Sequence, residues 1–193
     1  MPIRDDVTLG DGVRIFHPDL VNLYGCAIGP DSQIGPFVEI QADVVIGGRC
    51  KISSHSFICS GVRIDDEVFV GHGVVFTNDR WPCATNDAGK LQGVDDWTME
   101  PTIVARRVSI GSNATILCGV SLGEGAMIAA GAVVTRDVPP GALAMGVPAR
   151  IIDRYDRTQR LTDLRPPAKL AVESVTGRES RPPSLAAIPA EAV

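Results

Sequence analysis

The chain has 193 residues, of which 45% are hydrophobic and 21% charged, and its net charge is −5. This length and apolar content suffice for one well-buried domain. An acidic chain is a poor general binder of nucleic acid, because such binding depends on Lys and Arg neutralising phosphates. No stretch approaches the roughly 18 to 20 apolar residues of a membrane span, and the N-terminus does not read as a signal peptide. We therefore expect a cytoplasmic protein with no nucleic-acid or membrane partner.

An apolar residue recurs at every sixth position along two stretches of the sequence. The first stretch runs from Ile28 to Phe76 and the second from Val104 to Val134. A small or β-branched residue follows these positions four residues later, from Ser32 to Val74 and from Val108 to Val138. The position directly after the apolar residue is often glycine, as in Gly29, which we interpret as a requirement for unusual backbone φ and ψ angles. The apolar residues of the repeat are Ile28, Ile34, Ile40, Ile46, Ile52, Ile58, Ile64, Val70 and Phe76, then Val104, Ile110, Ile116, Leu122, Ile128 and Val134.

A repeat of six residues is too short to bury its own apolar face, so the repeats must stack on one another. A fixed hexapeptide period is typical of a parallel β-helix. Three hexapeptides form one triangular coil of about 18 residues, and successive coils lie about 4.8 Å apart. The sequence predicts an all-β domain over residues 1–152, with about six coils and the apolar positions inside.

Two segments depart from the repeat. Residues 79–103 form a polar insertion with both tryptophans, Trp81 and Trp97. A loop of this length in a compact domain is usually functional, although a surface flap held to the prism by the tryptophans is the alternative. After Ile152 the composition shifts to Arg, Asp, Pro and Ala. We expect residues 153–193 to form a short helix, near 154–164, followed by a disordered tail.

Histidine and cysteine give little support for a metal site. The five cysteines include no CxxC pair and are odd in number, which favours reduced thiols over disulfides or a zinc finger. The three histidines are His17, His55 and His72. A zinc site on a prism of this kind needs convergent histidines, and no two of them are five residues apart. We therefore expect no metal. A lone histidine on such a face is either a catalytic base or a hydrogen-bonded surface residue.

Several local runs resemble the sugar-nucleotide 3-N-acetyltransferases. They include Phe76-Thr77-Asn78-Asp79, which ends the first series of repeats. The runs that carry the resemblance are residues 22–29, 34–41, 51–59, 68–79, 114–120 and 146–150. The resemblance covers about residues 20–152 and implies a left-handed β-helix. It also implies that acetyl-CoA acetylates the amino group of a UDP- or dTDP-linked 3-amino sugar, for surface polysaccharide synthesis.

The resemblance also assigns roles to particular residues. Asn78 would lie against the sugar amine, and His72 is the candidate base, because some members of the family use a histidine. Further acceptor contacts are assigned to Asp79, Arg80, His55 and Glu39. Acetyl-CoA would lie along the C-terminal coils, where Ala129, Ala130 and Gly131 leave room for pantetheine and Arg136 and Arg150 approach its phosphates.

The chemistry leaves two acceptors open. A neutral amine attacks a thioester readily, so the enzyme mainly needs to position the reactants and stabilise the developing oxyanion. A hydroxyl must lose its proton as it attacks, so O-acetylation would depend on His72 or His55 as a base. Asn78 is alternatively a turn residue at the end of a coil. A non-enzymatic or metal-bearing β-helix scaffold is the third alternative.

The spacing of His72 and Asn78 bears on oligomeric state. They occupy the same position in successive hexapeptides, which places them on neighbouring faces of one prism. A threefold assembly whose clefts join different faces of two subunits would bring them together. Trimers are usual in the family that the sequence resembles, and we therefore expect a homotrimer.

Overall fold

The computed structural model describes residues 2–152, which form a prism of three β-sheets whose strands pair in parallel, except for the last strand of the second sheet, which is antiparallel. The first sheet contains β1 (Thr8–Leu9), β4 (Ala27–Ile28), β7 (Val45–Ile46), β10 (Val62–Ile64), β13 (Thr102–Val104) and β16 (Ser121–Leu122). The second sheet contains β2 (Arg14–Ile15), β5 (Gln33–Ile34), β8 (Lys51–Ile52), β11 (Phe69–Val70), β14 (Ser109–Ile110), β17 (Met127–Ile128), β19 (Leu143–Met145) and β20 (Arg150–Ile152). The third sheet contains β3 (Asn22–Leu23), β6 (Glu39–Ile40), β9 (Phe57–Ile58), β12 (Val75–Phe76), β15 (Thr115–Ile116) and β18 (Val133–Val134).

The chain visits the three sheets in rotation, which confirms the predicted β-helix. Ile28 pairs with Ile46 and Ile46 with Ile64, so each coil takes 18 residues. Ile64 then pairs with Val104, which places the insertion within one coil. Over residues 2–152 the sheets have six, eight and six strands, which corresponds to six to eight turns against the predicted six. Left-handed winding stays a prediction from the resemblance.

The repeat positions form the core, as predicted. Every apolar residue of the two series is buried, and Phe76 is the largest fully buried side chain among them. The small residues that follow them are buried too, and the polar ones are satisfied. The Ser32 hydroxyl donates to the Gly47 carbonyl at 2.9 Å and accepts the Cys50 N–H at 2.9 Å. Buried polar groups need such partners, so serine is tolerated in this position.

The explanation predicted for the glycines is wrong. Gly29 and Gly71 do not have positive φ angles. They are required because the next coil passes too close, since a Cβ on Gly71 would lie 2.6 Å from the Ser112 backbone nitrogen. The left-handed conformation occurs two residues later, at positions such as Asp31 and His55, with φ of 57° and 63°. These residues make each corner of the prism, at a conformational cost that stacking overcomes.

The C-terminal end of the insertion differs from the prediction by one or two residues. β13 begins at Thr102, so the insertion ends earlier than the predicted residue 103. Over residues 2–152 the helical content is one 3-10 turn, Pro18–Leu20. The predicted helix and tail of residues 153–193 lie outside the described residues.

Candidate functional site

The corner between the second and third sheets, here the His72 corner, gathers five of the sequence-predicted residues. Corner residues stack at the coil spacing, because each corner N–H bonds to the preceding coil. The Asn113 N–H donates to the His72 carbonyl at 2.7 Å, and the Gly131 N–H donates to the Ser112 carbonyl at 2.9 Å. His72, Ser112 and Ala130 therefore form one column. The predicted residues at this corner are His55, His72, Ala129, Ala130 and Gly131.

His72 is exposed but its ring is held in place. Its Nδ1 lies 2.9 Å from the Ser54 hydroxyl on the adjacent coil. Its backbone N–H donates to the Ser112 hydroxyl at 3.2 Å. If Nδ1 carries the proton and donates it to Ser54, Nε2 keeps its lone pair and faces solvent as a base. The contact orients the His72 ring, and the Ser54 hydroxyl can serve either tautomer because it both donates and accepts.

A groove of about 250 Å³ runs along the second sheet and ends at His72. We call it the Phe16–His72 groove. Its walls are largely apolar, and Lys51 is the one lysine or arginine among the residues that line it. The lining residues are Phe16, Gln33, Gly35, Pro36, Lys51, Ile52, Ser53, Ser54, Phe69 and His72.

Beyond His72 the same corner continues as an open track toward the C-terminal coils. Gly71 is in register with Gly111, and Gly111 with Ala129, since the Gly71 N–H donates to the Ile110 carbonyl and the Gly111 N–H to the Ile128 carbonyl. Ala130 and Gly131 are exposed, and a Cβ on Gly131 would meet no atom within 4 Å. His72 lies two coils, or about 10 Å, from Ala130. An extended ligand has room along this track.

His55 is placed differently from His72, although the two histidines share the corner. It has a positive φ angle of 63°, and its ring packs on Phe37, with ring centroids 4.8 Å apart. It does not line the Phe16–His72 groove. A contact between His55 and an acceptor stays a prediction.

Asn78 lies at the next corner, between the third and first sheets, which we call the Asn78 corner. Its Nδ2 donates to the Ser60 carbonyl at 3.2 Å. This bond closes the turn, which agrees with the alternative of a turn residue. It also fixes the amide, so that Oδ1 is the free end of the side chain. Over residues 2–152 no hydrogen bond to Oδ1 is formed.

Glu39 also belongs to the third sheet and lies toward the Asn78 corner. Its Oε1 accepts a hydrogen bond from Gln41 Nε2 at 3.2 Å, and the Gln41 side-chain oxygen accepts the Ser60 N–H at 3.2 Å. The carboxylate is half-buried and far from His72 around the prism. The structure therefore does not bring Glu39 together with the candidate base in one chain.

Arg80 anchors the insertion to the prism. Its Nε donates to Glu100 Oε1 at 2.8 Å, and its Nη2 also contacts Glu100 and, at 3.4 Å, the Cys118 carbonyl. The Arg80 guanidinium holds the pKa of Glu100 below its usual range. Asp79 accepts the Trp81 N–H at 2.8 Å. Both predicted acceptor contacts thus already have intramolecular partners.

The two tryptophans of the insertion differ in how deeply they are buried. The Trp81 side chain is 80% exposed, whereas Trp97 is half-buried beside Arg80. A hollow of about 240 Å³ lies between them, with Asp96 on its wall. Asp96 is engaged by the Gly93 N–H at 2.7 Å, which lowers its pKa. The polar walls of this hollow are therefore mostly used by the loop itself.

The two arginines predicted to hold coenzyme phosphates are separated. Arg136 is exposed after β18, at the Asn78 corner, and Arg150 is exposed in β20 at the end of the second sheet. The third sheet lies between Arg136 and the His72 corner. Their role toward a phosphate stays a prediction.

The third corner, between the first and second sheets, holds a cluster of charges. Glu67 accepts hydrogen bonds from Arg107 at 2.7 Å, Arg106 at 2.7 Å and Arg49 at 2.9 Å. These guanidinium groups lower the pKa of Glu67 to about 2. The ion pairs at this corner link successive coils electrostatically.

Sequence reasoning missed Ser54 and Lys51. Ser54 precedes His72 by 18 residues, one coil, so the repeat length could have indicated their contact. No comparable pattern in the sequence indicates Lys51, because its role depends on the groove around it.

Neither a metal-binding cluster nor a membrane-spanning helix occurs within residues 2–152. No three His, Cys, Asp or Glu side chains converge there in a way that could hold a metal ion. Nor does this part of the chain contain a helix long and apolar enough to cross a membrane.

Comparison with protein families matches both series of repeats. Residues 25–60 match the bacterial transferase hexapeptide (six repeats), and residues 101–136 match the hexapeptide repeat of succinyl-transferase. Both matched segments lie within the β-helix. The fold and the two matched segments thus define a protein with hexapeptide repeats, and these repeats are similar to those of the hexapeptide-repeat transferases.

Curated relatives include the bifunctional protein GlmU from several bacteria. The protein of Acidithiobacillus ferrooxidans is 28% identical over 165 residues, which is 82% of this chain and 35% of that protein. The protein of Thermotoga petrophila is 33% identical over 150 residues, or 78% of this chain and 28% of that protein. The chain therefore spans about a third of the length of these relatives.

Solved structures share the architecture. A hexapeptide-repeat acetyltransferase from Vibrio cholerae, complexed with acetyl coenzyme A, is 28% identical, with a TM-score of 0.57 over 67% of this chain and 70% of that chain. A variant of AntD, an N-acyltransferase from Bacillus cereus in complex with dTDP and coenzyme A, is 19% identical. Its TM-score is 0.61 over 78% of this chain and 85% of that chain, a likeness of fold.

Proposed function

We propose that the chain is an acyl-CoA-dependent acyltransferase with acetyl-CoA as co-substrate. The observation that supports this proposal most strongly is the His72 corner. A groove, an oriented histidine and an open track of small residues follow one another there along the prism. The Vibrio cholerae acetyltransferase, which binds acetyl coenzyme A, supports this choice of donor. Pantetheine would lie along Ala129, Ala130 and Gly131, where side chains are small or absent.

The proposed acceptor is the amino group of a nucleotide-linked 3-amino sugar, for surface polysaccharide synthesis in the cytoplasm. The resemblance of residues 68–79 to the sugar-nucleotide 3-N-acetyltransferases supports it. AntD is an N-acyltransferase that shares the fold, and its structure holds dTDP and coenzyme A. This likeness supports the proposal of a nucleotide-linked acceptor. The free Oδ1 of Asn78 is suited to accept a hydrogen bond from an amine.

The reaction requires little besides positioning. The amine lone pair attacks the thioester carbonyl carbon, a C–N bond forms, the C–S bond breaks, and the thiolate of coenzyme A leaves. The proton lost by nitrogen passes to that thiolate or to His72 Nε2. Holding the two reactants in near-attack geometry supplies most of the rate enhancement for such a nucleophile. His72 is therefore helpful but not essential when the acceptor is an amine.

A hydroxyl acceptor is the second candidate, and the contact between Ser54 and His72 favours it. A hydroxyl must lose its proton during attack, which demands a base with a free lone pair. In the tautomer whose Nδ1–H donates to the Ser54 hydroxyl, His72 presents Nε2 for that purpose. In this alternative Asn78 serves only to close its turn.

We further propose a homotrimer in which two subunits build each site. In one chain Asn78 and the His72 corner belong to different corners of the prism, so a single subunit separates the orienting amide from the open track. A threefold arrangement joins different faces of neighbouring subunits and removes this separation. Light scattering at micromolar concentration tests the assembly, and a monomeric mass would contradict it.

The test of the activity is coenzyme A release from acetyl-CoA with a panel of acceptors. UDP- and dTDP-linked 3-amino sugars should support turnover, and the same sugars with a hydroxyl in place of the amine should not. Turnover on hydroxyl acceptors alone would establish the second candidate. No release with any acceptor would contradict the acyltransferase proposal.

A further inference from the structure

The outer face of the second sheet carries two cations without carboxylate partners. Arg14, Gln33, Lys51 and Phe69 are in register on successive strands, so their side chains form one outward column. Arg14 and Lys51 are exposed, and within residues 2–152 neither forms an ion pair. By contrast, Arg49, Arg106 and Arg107 each form an ion pair with Glu67. Charge on the second sheet is therefore left for an anionic ligand.

This column borders the Phe16–His72 groove, where Lys51 is part of the wall. Phe16 lies at the N-terminal end of the groove, and its ring is 47% exposed. Phe69 lies at the other end, on the coil of His72, and is 42% exposed. Three coil steps, about 14 Å, separate Phe16 from His72. Exposed rings at the two ends of a lined groove offer stacking surfaces for a planar group and for a sugar ring.

The groove therefore begins with the aromatic ring of Phe16, continues with the amide of Gln33 and the cation of Lys51, and ends with the ring of Phe69 beside the candidate base. A nucleoside diphosphate sugar presents matching groups in the same order: a planar base, two phosphates and a sugar. We propose that the Phe16–His72 groove is the acceptor subsite, with Lys51, aided by Arg14 and Gln33, binding the diphosphate of a nucleoside diphosphate sugar. This inference rests on the proposed function, which supplies the reacting amine near His72.

The proposal also separates the two substrates along the prism. The acceptor occupies the coils before His72, and the acyl thioester occupies the track from Gly111 to Ala129 beyond it. The reacting carbonyl and the acceptor then meet at His72 from opposite directions. Loss of the Lys51 charge should accordingly change the use of the acceptor and leave the use of acetyl-CoA unchanged.

The main test is Lys51→Met, which removes the charge and keeps most of the apolar stem. We expect KM for the nucleotide-linked acceptor to rise about tenfold or more, because a charge-assisted contact to phosphate is lost. The values of kcat and of KM for acetyl-CoA should stay near those of the native protein. Arg63→Met is the matched control, since Arg63 is an exposed cation on the first sheet. It should leave all three quantities unchanged.

Direct binding distinguishes failure of the subsite from failure of the proposed function. The native protein should bind UDP or dTDP more tightly than the monophosphate and the nucleoside, and Lys51→Met should remove that preference without acetyl-CoA being present. If turnover persists but Lys51→Met leaves the acceptor KM and diphosphate binding unchanged, the subsite is wrong and the proposed function stands. A rise in KM for acetyl-CoA instead, or a changed oligomeric mass of Lys51→Met, would also overturn the subsite. If no acceptor turns over but diphosphate binding depends on Lys51, the proposed function fails and the subsite stands.

Discussion

The His72 corner and the Asn78 corner are built by the same repeat but differ in what their side chains do. At the His72 corner the polar groups point outward and the neighbouring positions are small, which leaves a groove and an open track. At the Asn78 corner the side chains bond to one another and to backbone, as Asn78 does to Ser60 and Arg80 to Glu100. The stacking of coils thus determines where each residue lies. Which corner can bind a ligand depends on the size of its side chains and on whether they are already hydrogen-bonded within the protein.

The largest effect should come from filling the open track at the His72 corner. Ala130→Trp places a large ring where pantetheine is proposed to lie, and Ala130 is exposed, so the coil itself need not change. We expect turnover to fall more than a hundredfold, because misplaced reactants lose near-attack geometry. Steady-state rates at several acetyl-CoA concentrations measure this loss.

Glu124→Trp is the matched control for Ala130→Trp. Glu124 is an exposed residue of the same coil, at the corner that contains Glu67. Its replacement should leave turnover near the native value, and circular dichroism should show both variants folded. Normal acetyl-CoA use by folded Ala130→Trp would mean that the coenzyme does not lie along the His72 corner.

A smaller effect is expected from releasing the insertion at the Asn78 corner. Arg80→Met removes the ion pair with Glu100 and the contact with the Cys118 carbonyl. Because few other polar contacts tie the loop to the prism, limited proteolysis between residues 81 and 99 should become faster, with a several-fold loss of turnover. Arg63→Met serves as the control. Unchanged cleavage would show that the tryptophans or a neighbouring subunit hold the loop instead.

The smallest effect concerns the third corner, which has no proposed ligand. The pKa of Glu67 is lowered from its usual 4.5 to about 2, by Arg107, Arg106 and Arg49 in that order. Its stabilising contribution is therefore fully present above pH 4.5 and is lost as the pH falls toward 2. Glu67→Gln should lower Tm by a few degrees at most at neutral pH, since the pairs are exposed. The difference in Tm between the two proteins should shrink as the pH falls through this range, and a constant difference would contradict the assignment.

The sequence predicted the prism well because the hexapeptide repeat determines two things about each residue. It determines the position of the residue within its coil and the residue that lies next to it on the neighbouring coil. The positions from Ile28 to Phe76 could be assigned to the core from their period alone. The role of glycine could not, since Gly71 is selected by the approach of Ser112 from another coil rather than by its own φ angle.

The site was predictable only where it follows the repeat. The common corner of His72 and Ala130 follows from counting hexapeptides across the insertion. The partners of Asn78, Arg80 and Glu39 are set by side-chain conformations and by a loop outside the period. For this reason most of the residues chosen by resemblance proved to be divided between two corners, Glu39 and Arg150 lie on strands, and Ser54 and Lys51 were missed.

The central claim is that the acceptor is an amine positioned by Asn78, and the most direct test compares Asn78→Ala with His72→Ala at saturating acetyl-CoA. The acceptor is a nucleotide-linked 3-amino sugar. Asn78→Asp, which keeps an acceptor oxygen but loses the donor to Ser60, separates orientation of the amine from closure of the turn. We predict that Asn78→Ala loses most of its turnover, that Asn78→Asp retains more, and that His72→Ala keeps appreciable activity. A general base contributes about 10² to 10⁴-fold. A loss of about a thousandfold in His72→Ala, with Asn78→Ala nearly unaffected, would contradict the amine mechanism and leave Asn78 as a turn residue.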